Sequence, residues 1–322
     1  MPPLRVGVVG VGHLGQHHAR IYAEMQGVEL AWIVDVNAEN AQKLARKYEC
    51  GFHVDYRAVD GLDAVSIAVP TSLHYEVASH FLERGIHTMV EKPICSKLSD
   101  AEALARLSEA RNLILQVGHI ERFNPAVKAL RSRANNPQYI ESHRLGPINS
   151  RCMDVDVIRD LMIHDLDIVL SLVDSPLEDV QATGVATISP HVDLANVRLT
   201  FANGCVANMN ASRISLSPMR KLRIFQPSGY LSLDFAKQEL NFVQLVPDKK
   251  SLIPGIPFKL SREKVRIKKQ EPLKAELEAF VRSVRRQSPP LVSARDAIQA
   301  LQVTETILQR IAQTQAKANL QG

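Results

Sequence analysis

Short, almost continuous apolar runs alternate with longer amphipathic segments through the first 120 residues. The apolar runs cover residues 6–9, 30–34, 64–69, 88–90 and 113–117. Runs of this kind are typical of strands in a parallel sheet that is covered on both faces. The segments between them that are long enough for crossover helices are 16–25, 38–48, 73–84 and 99–111. The pattern therefore predicts a doubly wound α/β domain over residues 1–120.

From about residue 180 the pattern changes to predicted strands that are separated by short turns containing Gly, Pro or Asn. The predicted strands are 180–188, 196–201, 205–211, 221–225, 230–235 and 240–246. Such a succession is typical of an antiparallel sheet. Two helices are predicted to close the chain, over 271–286 and about 293–317. We therefore expect an α+β domain over residues 121–322 with a large, mainly antiparallel open sheet, and closing helices at 271–318 that pack back on the first domain.

The composition agrees with two ordinary globular domains. The chain has 322 residues, of which 45% are hydrophobic and 23% are charged. These values, together with the lack of any low-complexity tract, exclude a disordered, collagen-like or solenoid protein. The formal net charge of +5 suits an anionic small-molecule substrate and is too small to indicate a nucleic-acid partner.

The sequence shows no sign of a membrane segment, a secretory signal or a metal site. No stretch approaches the roughly 20 apolar residues that a membrane span needs, and the first residues lack the charged region and cleavage site of a secretory signal. The cysteine spacings match neither a zinc site nor a redox pair; the cysteines are Cys50, Cys95, Cys152 and Cys205. We expect a cytoplasmic protein without membrane contact, bound metal or disulfides.

Three glycines, Gly10, Gly12 and Gly15, directly follow the first predicted strand and open the first predicted helix. In this G-x-G-x-x-G arrangement the first glycine allows a tight turn, the second lets the backbone approach a pyrophosphate, and the third lets helix and strand pack closely. The helix N-terminal amides can then hold the phosphates. The motif in this context predicts a dinucleotide-binding Rossmann domain. The alternative is a glycine turn in an α/β domain that binds no nucleotide.

Asp35 closes the second predicted strand, 20 residues after Gly15. A carboxylate at this position accepts hydrogen bonds from the hydroxyls of the adenine-linked ribose. It also repels the 2′-phosphate of NADP, and residues 36–38 contain no Arg or Lys. We therefore predict NAD as the cofactor. An ordinary strand-end cap is the alternative role for Asp35.

Glu91, Lys92 and Pro93 follow the apolar run 88–90. Ligands bind at the carboxyl ends of parallel strands, so Lys92 is expected to face the cofactor crevice. There its amine can take part in proton transfer if its pKa is lowered, or can polarise a substrate hydroxyl while charged. The alternative is a polar loop after a strand.

A helical segment at 158–170 carries Asp160, His164 and Asp167 within about 60° of arc, given roughly 100° per residue. The opposite stripe is apolar and consists of Met162, Leu166, Val169 and Val173. A histidine one turn from an aspartate can be oriented by it and can act as a general acid or base near neutral pH. A solvated polar face is the alternative.

These three motifs, in this order and at these separations, resemble the Gfo/Idh/MocA family, which contains relatives of glucose-fructose oxidoreductase and inositol dehydrogenase. The resemblance covers essentially the whole chain. It implies an enzyme that acts on a CH–OH group. It also implies that Lys92 and His164 take part in proton transfer from a sugar hydroxyl while hydride passes to the nicotinamide, with Asp160 as their neighbour.

The resemblance further implies which residues contact NAD. They are Gly10, Gly12, His13, Leu14, Gly15, Asp35, Pro70, Thr71, His74 and Glu91. Three of them lie in the segment 69–74, where the family often has Thr-Pro-Asn-x-x-His and this chain has Val-Pro-Thr-Ser-Leu-His.

The segment 117–126 resembles the same region of the family's nucleotide-sugar 3-dehydrogenases, which include those that act on UDP-N-acetylglucosamine to supply 3-amino sugars for lipid A. Here Arg122 would hold the pyrophosphate with its planar fork, and Phe123 would form an apolar wall. A surface arginine at a helix start is the alternative. The residues predicted to bind the substrate are Arg122, Phe123, Asn124, Asp167 and Arg213.

We therefore predict NAD-dependent oxidation of the C3 hydroxyl of UDP-N-acetylglucosamine, followed by a downstream aminotransferase. Another UDP-sugar, a UDP-uronic acid or a free polyol is the alternative substrate, and a non-catalytic NAD-binding regulator is the alternative function. Antiparallel sheets with one uncovered face commonly bury it against a partner, so a homodimer or homotetramer is expected. The basic run 262–269 is predicted to be a charged strand edge, with a polyanion site as the alternative.

Overall fold

A computed structural model describes residues 2–148, 155–247 and 258–319 of the chain. Its contacts separate two compact units. The first, called the parallel-sheet unit below, extends to Phe123 and also includes Glu271–Gln299. The second, the mixed-sheet unit, contains Asn124–Gln270 and the residues from Ala300 onwards. The change of unit after Phe123 lies close to the boundary predicted at residue 120.

Six parallel strands form the sheet of the parallel-sheet unit. They are β1 (Leu4–Val9), β2 (Val28–Val34), β3 (Gly51–His53), β4 (Ala64–Ile67), β5 (His87–Glu91) and β6 (Leu115–Gly118). The helices that alternate with them are α1 (Gly15–Glu24), α2 (Ala38–Tyr48), α3 (His74–Glu83) and α4 (Leu98–Ala110). The strand order β3-β2-β1-β4-β5-β6 and the parallel pairing confirm the doubly wound α/β fold class.

The strand order reverses at the centre of this sheet, where β1 and β4 are hydrogen-bonded neighbours. In open α/β sheets the ligand crevice lies outside the carboxyl ends of the strands at such a reversal. The glycine turn follows β1, and Lys92 directly follows β5. The topology therefore places both motifs at the carboxyl ends of the parallel strands, which is where a ligand is expected.

The strand β3 is absent from the predicted set. It has three residues, Gly-Phe-His, none of which is buried, and it lies at the edge of the sheet beside β2. Because such a strand has no apolar run, the hydrophobic pattern carries no signal for it.

The mixed-sheet unit begins with α5 (Pro125–Arg131) and has a second helix, α6 (Ile163–Leu172). Its described strands are β7 (Tyr139–Leu145), β8 (Leu177–Val185), β9 (Leu194–Phe201), β10 (Val206–Ser212), β11 (Met219–Gln226), β12 (Gly229–Asp234), β13 (Glu239–Pro247) and β14 (Phe258–Lys264). They form one sheet in the order β14-β13-β12-β11-β7-β10-β9-β8. Every described pair is antiparallel except β7 with β10, which confirms the mainly antiparallel sheet.

The strand β7 lies between β10 and β11 inside the sheet, yet the sequence pattern does not predict it. Its inward positions are Ile140, Ser142 and Arg144, all of which are buried. Two of these three residues are polar, so the usual alternation of apolar and polar residues is hidden. A central strand can therefore escape prediction when its buried side chains are polar.

The basic run at 262–269 is only partly a strand. β14 ends at Lys264, so Arg266 and Lys268 lie beyond the strand. Within the described sheet β14 is an outermost strand, which agrees with the predicted charged strand edge for Arg262 and Lys264. Within the strand, Nζ of Lys264 lies 2.8 Å from Glu239, and Nε of Arg262 donates to Asn241 at 3.0 Å. These cations therefore contact the neighbouring strand β13.

Two helices close the chain, as predicted: α7 (Pro272–Arg286) and α8 (Ala294–Asn319). Leu277 and Phe280 of α7 are fully buried in the core of the parallel-sheet unit, in the same cluster as Val6 and Tyr22. Among the described residues, no helix combines the length and the apolar character needed to cross a membrane.

Candidate active site

The glycine turn after β1 has the geometry that the sequence predicts. Gly10 adopts a φ of +83°, and a Cβ there would lie 2.7 Å from the carbonyl oxygen of Ala68. A Cβ at Gly15 would lie 1.8 Å from the carbonyl oxygen of Gly10, so the start of α1 packs directly on the turn. A Cβ at Gly12 would meet no atom within 4 Å. This part of the backbone is therefore open to a ligand.

The Asp35 carboxylate is tied to the glycine turn by hydrogen bonds. Its Oδ2 accepts from the backbone N–H of Val11 at 2.8 Å, and its Oδ1 accepts from the backbone N–H of Asn37 at 2.8 Å. Because Val11 lies between two glycines of the motif, these bonds hold the acidic residue against the turn. Each carboxylate oxygen has more than one lone pair, so Asp35 can still accept from ribose hydroxyls.

A cavity of about 250 Å³ lies beside Asp35 and the glycine turn. It is lined by Val9, Gly10, Gly12, Val34, Asp35, Val36, Val54, Tyr56, Ala68, Val69, Pro70, Leu73, Glu76 and Val77. Apolar walls with a few polar groups are typical of cofactor pockets. The residues present fit the adenosine half of a dinucleotide, with the Asp35 carboxylate at the ribose.

Four further residues predicted to contact the cofactor lie in loops that follow the carboxyl ends of the parallel strands. His13 and Leu14 follow β1 in the exposed part of the glycine turn. Pro70 follows β4 and lines the cavity, and Thr71 starts a short 3-10 turn before α3. All four residues therefore lie where the strand order predicts a ligand. Their contacts with NAD stay predictions.

The last two of the predicted cofactor residues, His74 and Glu91, are buried and contact protein atoms. In His74, Nδ1 lies 2.9 Å from the carbonyl oxygen of Pro93, and Nε2 lies 3.0 Å from that of Val69. Burial lowers the pKa of His74, although these hydrogen bonds act in the opposite direction. Oε1 of Glu91 lies 3.1 Å from Nε2 of His18. His74 therefore joins the backbone segments that follow β4 and β5, and Glu91 contacts the side chain of a residue in α1.

Lys92 directly follows β5 and is half-buried. Its backbone N–H donates to Oε2 of Glu91 at 3.2 Å, and the Lys92–Pro93 peptide bond is cis. An amine at the carboxyl end of this strand can exchange a proton with a bound alcohol. The position of Lys92 therefore agrees with the predicted catalytic role.

The segment that carries Asp160 and His164 is helical, but its first part is not a regular α-helix. Ile158–Met162 forms a π-helical turn, and α6 begins only at Ile163. Single π turns are frequent at functional sites. Asp160 lies on the π turn and His164 on the first turn of α6, so the prediction of one continuous α-helical face through both residues is wrong.

Burial divides the side chains of this segment. His164 is half-buried, whereas Asp167 is only 1% exposed. The predicted apolar stripe is buried, namely Met162, Leu166, Val169 and Val173. Asp167 is therefore not part of a solvated polar face, whereas Asp160 and His164 are half-buried. A half-buried histidine at the start of a helix retains the access that a general acid or base needs.

A buried ion pair stabilises α6 next to His164, and the sequence pattern does not predict it. Nε and Nη2 of Arg144 donate to Oδ1 of Asp165 at 3.0 and 2.6 Å, and Oγ of Ser142 donates to Oδ2 at 2.6 Å. All three side chains are buried, and the Arg144 guanidinium lies 5.0 Å from the centre of the Phe235 ring. These contacts join α6 to β7 and fix the turn that carries His164.

The residues predicted to bind substrate are all buried; they are Arg122, Phe123, Asn124, Asp167 and Arg213. In the parallel-sheet unit, Nη2 of Arg122 lies 3.5 Å from Asp296. In the mixed-sheet unit, Asn124 accepts from the Ala126 N–H at the start of α5 and donates to the carbonyl of Phe235. The alternative of a surface Arg122 is therefore wrong. Substrate contact by the five residues stays a prediction.

Arg213 lies beside a loop that the Asp193 carboxylate closes. Nη2 of Arg213 donates to the carbonyl of Val155, and its Nε lies 3.8 Å from Oδ1 of Asp193. Oδ2 of Asp193 accepts from three backbone N–H groups, those of Thr187, Ile188 and Ser189. Burial alone would raise the pKa of Asp193, but its hydrogen bonds lower the pKa from 3.8 to about 2.

Replacing this carboxylate is expected to destabilise the fold at neutral pH. Asp193→Asn should lower the free energy of unfolding by about 1–3 kcal/mol, because three partly buried backbone N–H groups lose a charged acceptor. The native pKa is depressed, so the stabilisation is present above 3.8 and is lost as the pH falls towards about 2. Urea unfolding at several pH values measures the difference. Asp174→Asn, at an exposed position, is the control; a neutral-pH loss no larger than that of the control would contradict the expectation.

Comparison with known proteins identifies relatives along the whole chain. Residues 4–119 match the family model described as "Oxidoreductase family, NAD-binding Rossmann fold", and residues 130–232 match "GFO/IDH/MocA C-terminal domain". UDP-N-acetylglucosamine 3-dehydrogenase from Acidithiobacillus ferrooxidans is 39% identical over 319 residues, which are 95% of this chain and 99% of that protein. Myo-inositol 2-dehydrogenase from Thermotoga maritima is 23% identical over 318 residues, covering 92% and 93% of the two chains.

The solved structures agree with these relationships. A structure of the A. ferrooxidans enzyme matches with a TM-score of 0.89 at 37% identity, and the match covers 97% of this chain and 98% of that chain. The family models, the relative at 39% identity and the glycine turn followed by Lys92 all lead to one assignment. The chain belongs to the Gfo/Idh/MocA family of oxidoreductases and is a nicotinamide-dependent dehydrogenase that acts on a CH–OH group.

Proposed function

We propose that this chain oxidises the C3 hydroxyl of UDP-N-acetylglucosamine, with NAD as the hydride acceptor. The main support is the likeness to the A. ferrooxidans enzyme, at 39% identity against 23% for the T. maritima inositol enzyme. The likeness is not confined to the dinucleotide-binding domain, because it extends over 95% of the chain. It therefore includes the second domain, where substrate specificity can reside.

The proposed reaction removes a hydride from C3 and a proton from its hydroxyl, and it leaves a ketone. NAD, when bound, takes up the hydride. The proton must pass to a protein base, for which we propose Lys92 after β5 and His164 at the start of α6. We propose both residues for this role, because lysine and histidine side chains commonly act as general bases in enzymes. Asp160 on the π turn is the proposed neighbour of this pair.

Incubation with NAD and a panel of UDP-sugars, UDP-uronic acids and free polyols tests the proposal, with reduced nicotinamide followed by its absorbance. UDP-N-acetylglucosamine is expected to respond, and UDP alone is expected to compete with it. A transaminase with its amino donor should increase the yield, because NAD oxidises secondary alcohols unfavourably near neutral pH. Turnover of inositol or glucose with no response to any UDP-sugar would refute the substrate. No turnover with any compound would refute the proposed substrate as well.

We also propose NAD rather than NADP, on the charges around the cavity beside Asp35. The residues that line this cavity include the carboxylates Asp35 and Glu76 and, within the described chain, no Lys or Arg. The guanidinium of Arg57 forms ion pairs with both Glu76 and Asp55, so these three groups together keep a negative charge. Two carboxylates in one small cavity repel a 2′-phosphate.

The carboxylate of Asp35 is expected to control this preference. Asp35→Asn should weaken NAD binding by about 10- to 100-fold, since a hydrogen bond to a charged group contributes roughly 1.5–3 kcal/mol. The same change should narrow the ratio between NAD and NADP, which fluorescence titration measures. Glu39→Gln, on the exposed first turn of α2, removes the same charge and should leave the ratio unchanged. Equal affinities for the two dinucleotides in the unmodified protein would contradict the assignment.

We further propose that the outward face of the mixed sheet binds a second copy of this chain. Tyr139, Phe225 and Tyr230 form a half-buried aromatic cluster on three neighbouring strands, with successive ring centres 5.7 and 5.3 Å apart. The cluster lies on the face opposite the core, because the alternating residues Ile140 and Ile224 are fully buried. Aromatic clusters at a surface are typical of protein interfaces. A homodimer or homotetramer would cover this one.

A charge in the aromatic cluster is expected to separate the subunits. Phe225→Asp should reduce the mass measured by light scattering from a dimer or tetramer to a monomer, because a buried carboxylate without a partner is costly. Phe52→Asp, on the edge strand β3, changes an exposed phenylalanine of the other unit and should leave the mass unchanged. A monomeric unmodified protein would refute the proposal.

The proposed product is a 3-keto sugar nucleotide, which an aminotransferase can convert into a 3-amino sugar of the kind found in lipid A. We propose such an enzyme as the downstream partner, because removal of the ketone draws the oxidation forward. NAD and UDP-sugars are polyanions that do not cross a bilayer unaided. The cytoplasm is therefore the proposed compartment.

A further inference from the structure

A buried polar cluster lies beneath the end of β5 in the parallel-sheet unit. It consists of His18 and Tyr22 from α1, Ser66 from β4 and Glu91 from β5, and the first three are completely buried. Nδ1 of His18 lies 2.7 Å from Oγ of Ser66, and its Nε2 lies 3.1 Å from Oε1 of Glu91. The histidine therefore contacts one polar group on each of two adjacent strands.

The Glu91 carboxylate connects His18 to the backbone of Lys92. One oxygen faces His18, and the other accepts from the Lys92 N–H at 3.2 Å. Gly118 on the neighbouring strand leaves room for this arrangement, because a Cβ there would lie 2.8 Å from Oε2 of Glu91. Burial alone would raise the pKa of Glu91, but His18 and Lys92 lower it, so the carboxylate is ionised near neutral pH.

The other side of Lys92 is held by a second buried histidine. Nδ1 of His74 lies 2.9 Å from the carbonyl oxygen of Pro93, and its Nε2 lies 3.0 Å from the carbonyl oxygen of Val69. The residues immediately before and after Lys92 are therefore both anchored to buried side chains, one from α1 and one from α3.

We propose that His18 is a positioning residue for proton transfer, which fixes the backbone of Lys92 through the Glu91 carboxylate. The inference rests on the catalytic role proposed for Lys92. Stability alone does not explain the cluster, because replacing buried hydrogen-bonded partners by apolar groups of the same shape can be nearly neutral for stability. Catalysis supplies a reason, because a displacement of about 1 Å can lower a rate by about 100-fold.

Replacement of His18 tests this proposal against a matched neighbour. His18→Leu is expected to lower kcat by about 10- to 100-fold with little change in the KM for NAD, because the fold remains but Lys92 is displaced. His18→Gln retains an N–H that can donate to Glu91 and should recover most of the loss. His17→Leu changes the adjacent, exposed histidine and should retain the kcat of the unmodified protein.

Hydrogen exchange gives a second readout that needs neither substrate nor turnover. In His18→Leu the peptide that contains Lys92 and Cys95 is expected to exchange faster, while the peptides of β1 and β2 exchange at their original rates. A merely structural role would increase exchange throughout the unit. If His18→Leu does not fold, Ser66→Ala removes the hydrogen bond that orients the His18 ring, and the same local increase is expected.

The outcomes separate this proposal from the proposed function. If the unmodified protein oxidises no alcohol, the proposed function fails, and the exchange experiment still decides whether His18 anchors Lys92. Exchange at Lys92 in His18→Leu equal to that in His17→Leu would overturn the positioning role. A fully retained kcat in His18→Leu, or a loss in His18→Gln equal to that in His18→Leu, would overturn it as well.

Discussion

Lys92→Ala and His164→Ala are each expected to lower turnover by at least about 100-fold while NAD binding is retained, because removal of a general acid or base typically has this effect. Lys92 directly follows the carboxyl end of β5, and His164 starts α6 with a half-buried side chain. Neither residue lines the cavity beside Asp35, so the affinity for NAD should change little. Steady-state rates and fluorescence titration with NAD measure the two effects separately.

Two further substitutions show whether these losses are specific. Lys97→Ala removes an exposed lysine that precedes α4, and His191→Ala removes a histidine from a loop of the mixed-sheet unit. Both variants should turn over at the original rate. Near-normal turnover in Lys92→Ala would mean that Lys92 is only a polar residue of the loop after β5. Near-normal turnover in His164→Ala would mean that His164 has only a structural role in α6.

Asp165→Ala is expected to lower the free energy of unfolding by about 3–5 kcal/mol, which is the usual effect of removing one partner from a buried ion pair. The substitution leaves the Arg144 guanidinium buried, with its acceptor on α6 removed. It also removes the acceptor of the Ser142 hydroxyl. Because α6 carries His164, the turnover of this variant should fall together with its stability.

A double substitution separates the charge from the packing. Arg144→Met combined with Asp165→Leu removes both charges and should recover most of the stability, as replacements of buried ion pairs commonly do. Glu178→Ala changes an exposed acidic residue of β8 and is the control. Urea unfolding followed by circular dichroism measures the three proteins. A loss in Asp165→Ala no larger than that in Glu178→Ala would contradict the assigned strength of the pair.

The parallel sheet is largely predictable because five of its six strands are almost continuous apolar runs. Such runs arise when helices cover both faces of a sheet, and this cause is visible in one sequence. The mixed sheet is less predictable, because β7 presents Ser142 and Arg144 to the core. The polar groups of both residues are paired with Asp165 in the core. No local pattern encodes a partner that is some 20 positions away along the chain, so the strand and its ion pair both escape prediction.

The candidate site also has one part that can be predicted from the sequence and one part that cannot. The turn at Gly10 and the acidic residue Asp35 follow from local spacing, because each glycine has a steric role within a few residues. The proposed anchoring of Lys92 by His18 joins residues that are far apart in the sequence. The π turn before α6 also cannot be predicted from the sequence, because widening one helical turn by one residue leaves the apolar stripe of the helix intact. Sequence spacing thus predicts the cofactor motif better than the contacts that orient the catalytic groups.

The central claim is that hydride leaves C3 of UDP-N-acetylglucosamine, and isotope transfer tests it most directly. The protein is incubated with NAD and with substrate that carries deuterium at C3, and the reduced nicotinamide is examined by mass spectrometry. We predict that the nicotinamide gains one deuterium, and that substrate labelled at C4 transfers none. Reduced nicotinamide without deuterium from the C3-labelled substrate would contradict the account.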